Sequence, residues 1–407
     1  MLDVDVAAAK LGELIEPLRG TERVRVDAAL GRVPAQDIIA PLSLPPFDAS
    51  AMDGYAVCAT ELPGEGRKRL KVTGQSLAGH PATKSASAGT AIRIFTGAPM
   101  PAGADSVVLQ EDVTASAAAI EFDESVRVGQ HVRPSGNDIA KGDTICRAGH
   151  RLTPYDLAWL AACGIGTVRV RRRVRVVLLS TGDELAEPGM PLGEAQIYDS
   201  NRFAMTRLLE GRGSDIIDLG CVPDDPDQIR AALEEAAGVG DIIVTSGGVS
   251  VGDADHVRDL VAELGSIDFW RIALKPGKPL AVGDIGGTPF FGLPGNPVST
   301  IVTCLLFVAP AIDLLAGATV SPPLTIPATL AEEVPHAPGR REYMRGIASY
   351  EDGTLKVAIN GNQGSNRLAT FSGANCLVII PANASNLPAG ETVAVLPLGN
   401  DGHPLRR

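Results

Sequence analysis

Between residues 173 and 317 the chain alternates two hydrophobic periods. Apolar runs at 174–179, 216–219, 241–245, 267–273 and 288–291 have the length of strands and are rich in β-branched and aromatic residues. The stretches 200–211, 227–237 and 255–264 instead place apolar residues at helical spacing. Apolar runs alternating with helices predict right-handed βαβ crossovers and a parallel sheet covered on both faces. Ligands of such sheets bind at the carboxyl ends of the strands.

The flanks read differently. Residues 1–44 open with an amphipathic helical pattern and pass into short, Pro-punctuated strands around Val24 and Ile38. Residues 46–138 are rich in Gly, Ala, Ser and Thr, with short apolar runs at 91–95 and 106–109, which predicts a β-rich module with many turns. A compact pattern returns at 139–172, where Thr153 and Pro154 suit the N-cap and first position of a helix through Ala162. The expected fold class is multidomain α/β. An elongated α+β domain in two halves, 1–45 and 139–172, holds an inserted β-rich domain, 46–138. The central αβα domain follows at 173–317. Beyond the linker Ser321-Pro322-Pro323, short strands at 355–359 and 376–380 predict a small β-barrel-like domain over 318–407.

Composition narrows the function. A chain of 407 residues holds more than one domain, and 45% hydrophobic residues suffice for real cores. The net charge of −12 argues against nucleic acid or an anionic membrane as partner. It leaves room for a small anionic substrate, because a few local lysines can outweigh the mean field. The six cysteines form no Cys-x-x-Cys pair and are expected to be reduced, in a cytoplasmic protein. The first residues lack the features of a signal peptide. The apolar run 298–315 is interrupted by Ser299, Thr300, Thr303, Pro310 and Asp313, so a core helix fits it better than a membrane span.

Five predicted strand ends carry chemistry. The first is followed by Asp183 and Glu184, and the second by Asp224 and Asp225. The third is followed by Ser246-Gly247-Gly248-Val249-Ser250, whose adjacent glycines can take positive φ and bring backbone close to an anion. After the fourth, Lys275 and Lys278 flank a Pro-Gly turn that could let both ammonium groups share one anion. After the fifth, Gly292 and Gly295 precede Asn296, Pro297 and Ser299. Asn296 suits an N-cap and Pro297 a first helical position, so a positive helix end would face the same edge. Glu184, Asp224, Asp225, Asp253 and Asp255 are candidate Mg²⁺ ligands, because carboxylates beside a phosphate need a cation between them. Asp183, Asp225 and Asp253 could equally cap helices. Outside this unit, a rigid Pro-Pro segment presents Asp53.

The segments PPFDASAMDGYAV, FTGAPMPAGADSVV, RPSGNDIAKGD, STGDEL, TSGGVSVGDAD, KPGKP and GLPGNPVS, in this order, resemble the molybdopterin molybdenumtransferase family, which includes bacterial MoeA and the E domain of gephyrin. The resemblance runs from about residue 5 to the C-terminus. It implies a reaction between adenylylated molybdopterin and molybdate that releases AMP, with Mg²⁺ as cofactor. It further implies a homodimer whose 1–45 and 139–172 domain serves dimerisation, a molybdopterin-binding central domain, and a molybdopterin adenylyltransferase as hand-over partner. Carried over by motif, Asp53, Thr96, Asp138, Glu184, Asp224 or Asp225, Asp255, Lys275 and Lys278 form the site. Glu184, Asp224 and Asp255 would hold the metal. Ser246, Gly247, Gly248, Ser250, Gly292, Gly295, Asn296, Pro297 and Ser299 cradle substrate, joined by Arg345 and Ser365 from the last domain. The family's sites lie at a dimer cleft, with the Asp53 loop facing the partner's αβ unit. Ala49 stands where an Asn is common.

Three alternatives share these features. A molybdopterin adenylyltransferase would have the αβ unit but would not need the Asp53 segment or the last domain. A scaffold protein would not need the full acidic and basic set. A tungstate-using variant would look the same in sequence.

Overall fold

A helix, Val4–Leu14, opens the chain, and Asp3 caps it by accepting the Asp5 amide at 2.8 Å. The computed structural model describes residues 1–64, 66–249, 256–400 and 402–405. Val4, Ala7 and Leu11 of this helix are buried in the same core as Val176, Val244 and Phe291 of the central sheet. The helix was expected in the elongated unit, but its apolar face is covered by the central one.

That elongated unit is built from both sides of the β-rich segment. Thr21–Arg25 pairs antiparallel with Thr167–Arg171, and Ile38–Ile39 with Thr144–Cys146. The helix Pro154–Ala162 covers these strands. It starts in a capping box, with Thr153 and Asp156 satisfying each other's amides. Between the two halves runs a six-stranded sheet in the order Ser106–Leu109, Gly54–Val57, Thr90–Ile94, Lys68–Ser76, Ala119–Phe122, Thr114–Ala115.

The central sheet has the order Asp215–Val222, Arg175–Thr181, Ile242–Ser246, Thr288–Leu293, Ala281–Ile285, Gly265–Trp270. Alternate residues of one strand enter opposite cores: Val176 and Leu178 pack to one side, Val177 and Leu179 to the other. Two-sided burial explains why these strands read as unbroken apolar runs. The first four strands are parallel. Ala281–Ile285, which the hydrophobic pattern did not mark, runs antiparallel to both neighbours, so the sheet is mixed rather than wholly parallel. Two reversals leave Gly265–Trp270 pointing with the parallel set, and its carboxyl end lies at the same edge as theirs.

The helix Pro297–Leu315 is long and apolar enough to cross a membrane, but 78% of it is buried inside the protein. It includes a π turn at Cys304–Val308, just before Pro310, which has no N–H to continue the α ladder. The C-terminal strands Arg341–Glu351, Thr354–Ile359, Ile326–Leu330, Thr392–Pro397 and Cys376–Ile380 form a closed barrel, because the last pairs back onto the first. Leu274–Lys275 adds to it in parallel with Arg341 and Glu342, tying the central unit to the barrel. The chain is a multidomain α/β protein.

Candidate active site

Two glycine turns meet at the carboxyl edge of the central sheet. Gly247 and Gly248 have φ of 95° and 66°, and the Gly247 amide donates to Leu293 O at 3.1 Å on the neighbouring strand. A Cβ on Gly247 would sit 2.6 Å from Thr181 O, and one on Gly248 would sit 2.4 Å from a Val257 methyl. Gly295, in the next loop, faces Gly247 Cα. Backbone thus lines the seat, and side chains are excluded from it.

Asn201, which the sequence reading did not single out, joins these turns. Its Nδ2 donates to Ser246 Oγ at 2.8 Å and to Gly295 O at 2.7 Å. The adjacent Arg202 anchors it from behind, pairing with Asp199, Asp218 and Glu187. Among the described residues, the hydroxyls of Ser180, Thr181 and Thr245 and the Oδ1 of Asn201 are buried here without a hydrogen-bond partner. Buried polar groups are normally satisfied, so a cluster of open ones at a strand edge marks a place for a polar ligand.

The acids divide by role. Asp225 caps the helix Pro226–Val239, accepting the Gln228 amide at 2.9 Å. Asp224, half-buried, donates its amide to Asp183 Oδ1 at 3.1 Å, so the first two strand-end loops are joined. The exposed carboxylate of Glu184 folds back over Gly182, where a Cβ would lie 2.3 Å from its Oε2. Glu184 and Asp224 offer hard oxygen donors, a set that suits Mg²⁺ completed by phosphate and water oxygens. Asp253, Asp255 and Ser250 lie outside the described residues.

The two lysines are not equivalent. Lys275 Nζ sits 3.0 Å from the buried carboxylate of Glu342, because its short strand pairs with Arg341 and Glu342. Lys278 is exposed. The turn between them is set by Gly277, whose φ is 117° and which packs on Thr303 of the long helix. That helix starts as the sequence predicts, with Asn296 before Pro297, although the Asn296 side chain makes no cap hydrogen bond.

Arg345 is fully buried, with Nε donating to Thr370 Oγ1 at 2.9 Å and Nη2 to Gly364 O at 3.3 Å. Burial pushes its guanidinium down to about 10, partly offset by Glu342. It therefore shapes the loop that carries Ser365 from inside the barrel.

Asp53 stands at the start of Gly54–Val57, on a different sheet. Its Oδ1 accepts from the Thr96 amide at 2.8 Å and from Thr96 Oγ1 at 3.0 Å. These bonds, aided by the charge of Arg93, hold its carboxyl below the usual range. Thr96 thus fixes Asp53. Asp138 is exposed on a tight loop in which its amide donates to Leu44 O at 2.9 Å.

Three family profiles match successive parts of the chain: the MoeA N-terminal region (domain I and II) at 2–164, a probable molybdopterin binding domain at 177–314, and the MoeA C-terminal region (domain IV) at 327–398. A molybdopterin molybdenumtransferase of Haemophilus influenzae is 40% identical over 403 residues, 98% of this chain and 99% of that protein. The chain belongs to the molybdopterin molybdenumtransferase family. Molybdopterin molybdenumtransferase 2 of Mycobacterium tuberculosis is 35% identical, over 91% of this chain and 94% of its own. Among solved structures, a molybdopterin biosynthesis moeA protein of Pyrococcus horikoshii OT3 superposes with a TM-score of 0.85 at 30% identity, covering 97% of this chain and 99% of that one. The glycine turns, the acids around Glu184 and Asn201 fall within the stretch matched by the probable molybdopterin binding domain, and the barrel loop within that matched by the C-terminal region.

Proposed function

We propose that this protein is a molybdopterin molybdenumtransferase, which places molybdenum from molybdate into adenylylated molybdopterin with release of AMP. The observation that carries this reading is the paired glycine turns at the strand edge, with buried hydroxyls around them that have no partner among the described residues. Such a seat binds the phosphate end of a substrate through backbone amides and through the positive start of the helix Pro297–Leu315. Lys278 adds an exposed cation, and Lys275 adds one held in place by Glu342. Glu184 and Asp224, with Asp255, would hold Mg²⁺, which when bound neutralises the anhydride oxygens. The protein residues bind and orient the anhydride and exclude water from it, so no protein nucleophile is needed.

Asp53 lies on the inserted sheet, away from the strand-edge loops in sequence and in sheet. We infer that it completes the site of a partner copy, so the enzyme works as a homodimer. Exposed Met190, Ile197, Tyr198 and Phe203 near the Glu184 loop are suited to an interface between copies. The reading also includes a cytoplasmic location and delivery of substrate by a molybdopterin adenylyltransferase.

The test is AMP release from adenylylated molybdopterin with molybdate and Mg²⁺. Molybdate-dependent release is expected, with a strong fall in Asp53→Ala and in Glu184→Ala. A folded protein that releases AMP at the same rate without molybdate overturns the assignment.

A further inference from the structure

Away from the strand edge, an open cavity of about 920 Å³ lies between residues 145–156 and the linker residues Thr319 and Ser321. Cys146, His150 and Asp156 stand on its wall. One ligand atom from each lies within 4.8 Å of the others, the one such group of His, Cys, Asp or Glu among the described residues.

Each donor is held by a rigid support. Cys146 is buried at the end of the strand Thr144–Cys146, and Asp156 sits in the capping box of the following helix. The loop between them is pinned at three places. Ala148 N donates to Asp37 Oδ1 at 2.8 Å, Gly149 N to Pro34 O at 3.4 Å, and Thr319 N to Gly149 O at 2.8 Å. Arg151, also on the cavity wall, is turned away to Asp313 at 2.6 Å.

The two oxygens of Asp156 are used differently. Oδ2 accepts from Thr153 N at 2.7 Å and from Thr153 Oγ1 at 2.6 Å, and His150 Nε2 lies 2.8 Å from it. Among the described residues, Oδ1 meets only the Cys146 thiol, at 3.5 Å. Burial and the Asp156 charge push that thiol up to about 12. A carboxylate is therefore held between a thiol and an imidazole.

We propose that Cys146, His150 and Asp156 bind a divalent transition-metal ion of the zinc type. Cys146 Sγ, an imidazole nitrogen and Asp156 Oδ1 are the ligands, and a solvent oxygen from the cavity is the fourth. Metal–ligand bonds of about 2.0–2.3 Å place tetrahedral ligands somewhat closer together than the present limit, so a modest contraction completes the site. The half-exposed His150 ring can supply that movement. On binding, the Sγ–H proton passes to solvent, and thiolate and carboxylate then balance the two positive charges. A thiolate–imidazole–carboxylate set prefers zinc or cobalt over Mg²⁺, which demands hard oxygen donors. This site is distinct from the Mg²⁺ site proposed at the strand edge.

Chelator-stripped protein without nucleotide substrate is titrated with Co²⁺ and read by absorption. One Co²⁺ per chain is expected to produce sulfur-to-cobalt charge-transfer absorption, which Zn²⁺ abolishes and excess Mg²⁺ leaves unchanged. Cys146→Ser should lose the band. His150→Ala should weaken Co²⁺ binding at least about tenfold, the least that loss of even an outer-shell partner tends to cost. Absence of the band in the wild-type protein, or its persistence in Cys146→Ser, overturns the proposal. Should Cys146→Ser fail to fold, Zn²⁺ must slow alkylation of Cys146 in the wild-type protein, followed by peptide mass spectrometry. Unchanged alkylation also overturns it.

Discussion

The amide of Val298, in the first turn of the long central helix, donates a 3.0 Å hydrogen bond to the carbonyl of Ser365 in the barrel. One of the helix-start donors expected to face substrate is therefore already used. In exchange, the barrel loop is fixed beside the glycine turns, and its position depends on Arg345 through Gly364 O and Thr370 Oγ1. The barrel is thus part of the wall of the site.

Arg345→Lys should separate these roles. A lysine ammonium is a point donor and cannot reproduce the planar fork that reaches both partners. A loss of about 1–3 kcal/mol in stability is expected from the broken buried hydrogen bonds. Substrate affinity should fall with it, because the Ser365 loop loosens. Thermal melting and titration with adenylylated molybdopterin measure the two. A fall in stability at unchanged affinity would show that the barrel loop supports the fold alone.

The Lys275–Glu342 pair invites a double-mutant cycle. Glu342 is 2% exposed, with His336 Nε2 3.6 Å away and the buried Arg345 close enough to feel its charge. Lys275→Ala leaves that carboxylate without its closest cation, so both stability and anion binding should decrease. Lys275→Ala with Glu342→Gln removes the buried charge as well. The double variant should recover stability but not the affinity for molybdate or substrate. Recovery of both would mean that Lys275 only balances Glu342.

Much of this arrangement was legible in the chain because the central strands are buried on both sides. Their apolar runs are hard to read any other way, and the loops after them carry the glycines and acids that matter. Ala281–Ile285 escaped notice because Gly283 and Asp284 interrupt its short run. The structure needs that glycine, since a Cβ there would lie 2.0 Å from Ser266 O. The helix Val4–Leu14 shows a different limit: amphipathicity says that one face is covered, not by what. Asn201 looks like an ordinary helix-start residue. Its partners, Ser246 and Gly295, are 45 and 94 positions away, so no local pattern points to them. Lys275 and Lys278 looked alike in KPGKP until pairing with the barrel placed Glu342 beside one of them.

If Asp53 serves the site of a partner copy, two inactive variants should rescue each other. Asp53→Ala and Glu184→Ala subunits are mixed under conditions that exchange protomers. Half of the dimers are then mixed, each with one intact site, so about a quarter of the wild-type AMP-release rate should return. Asp53 and Glu184 from one chain would instead give no recovery. Size-exclusion chromatography with light scattering confirms that exchange has occurred.

Acid stability should depend on Asp241, which lies just before the strand Ile242–Ser246. Burial alone would raise its carboxyl, but hydrogen bonds from Arg172 and Arg175 hold it down to about 2. The folded value is below the unfolded one, so the native state favours the charged form. The stabilisation is complete above roughly pH 4 and is lost as the pH falls towards 2. Its size is on the order of 1–2 kcal/mol once solvent screening of the half-exposed guanidinium groups is discounted. Asp241→Asn should therefore lower the melting temperature at pH 7 and lessen the further loss between pH 4 and pH 2. The wild-type and variant curves should converge at the acid end. Parallel curves across that range would show that the Arg172–Asp241–Arg175 cluster does not set the acid response.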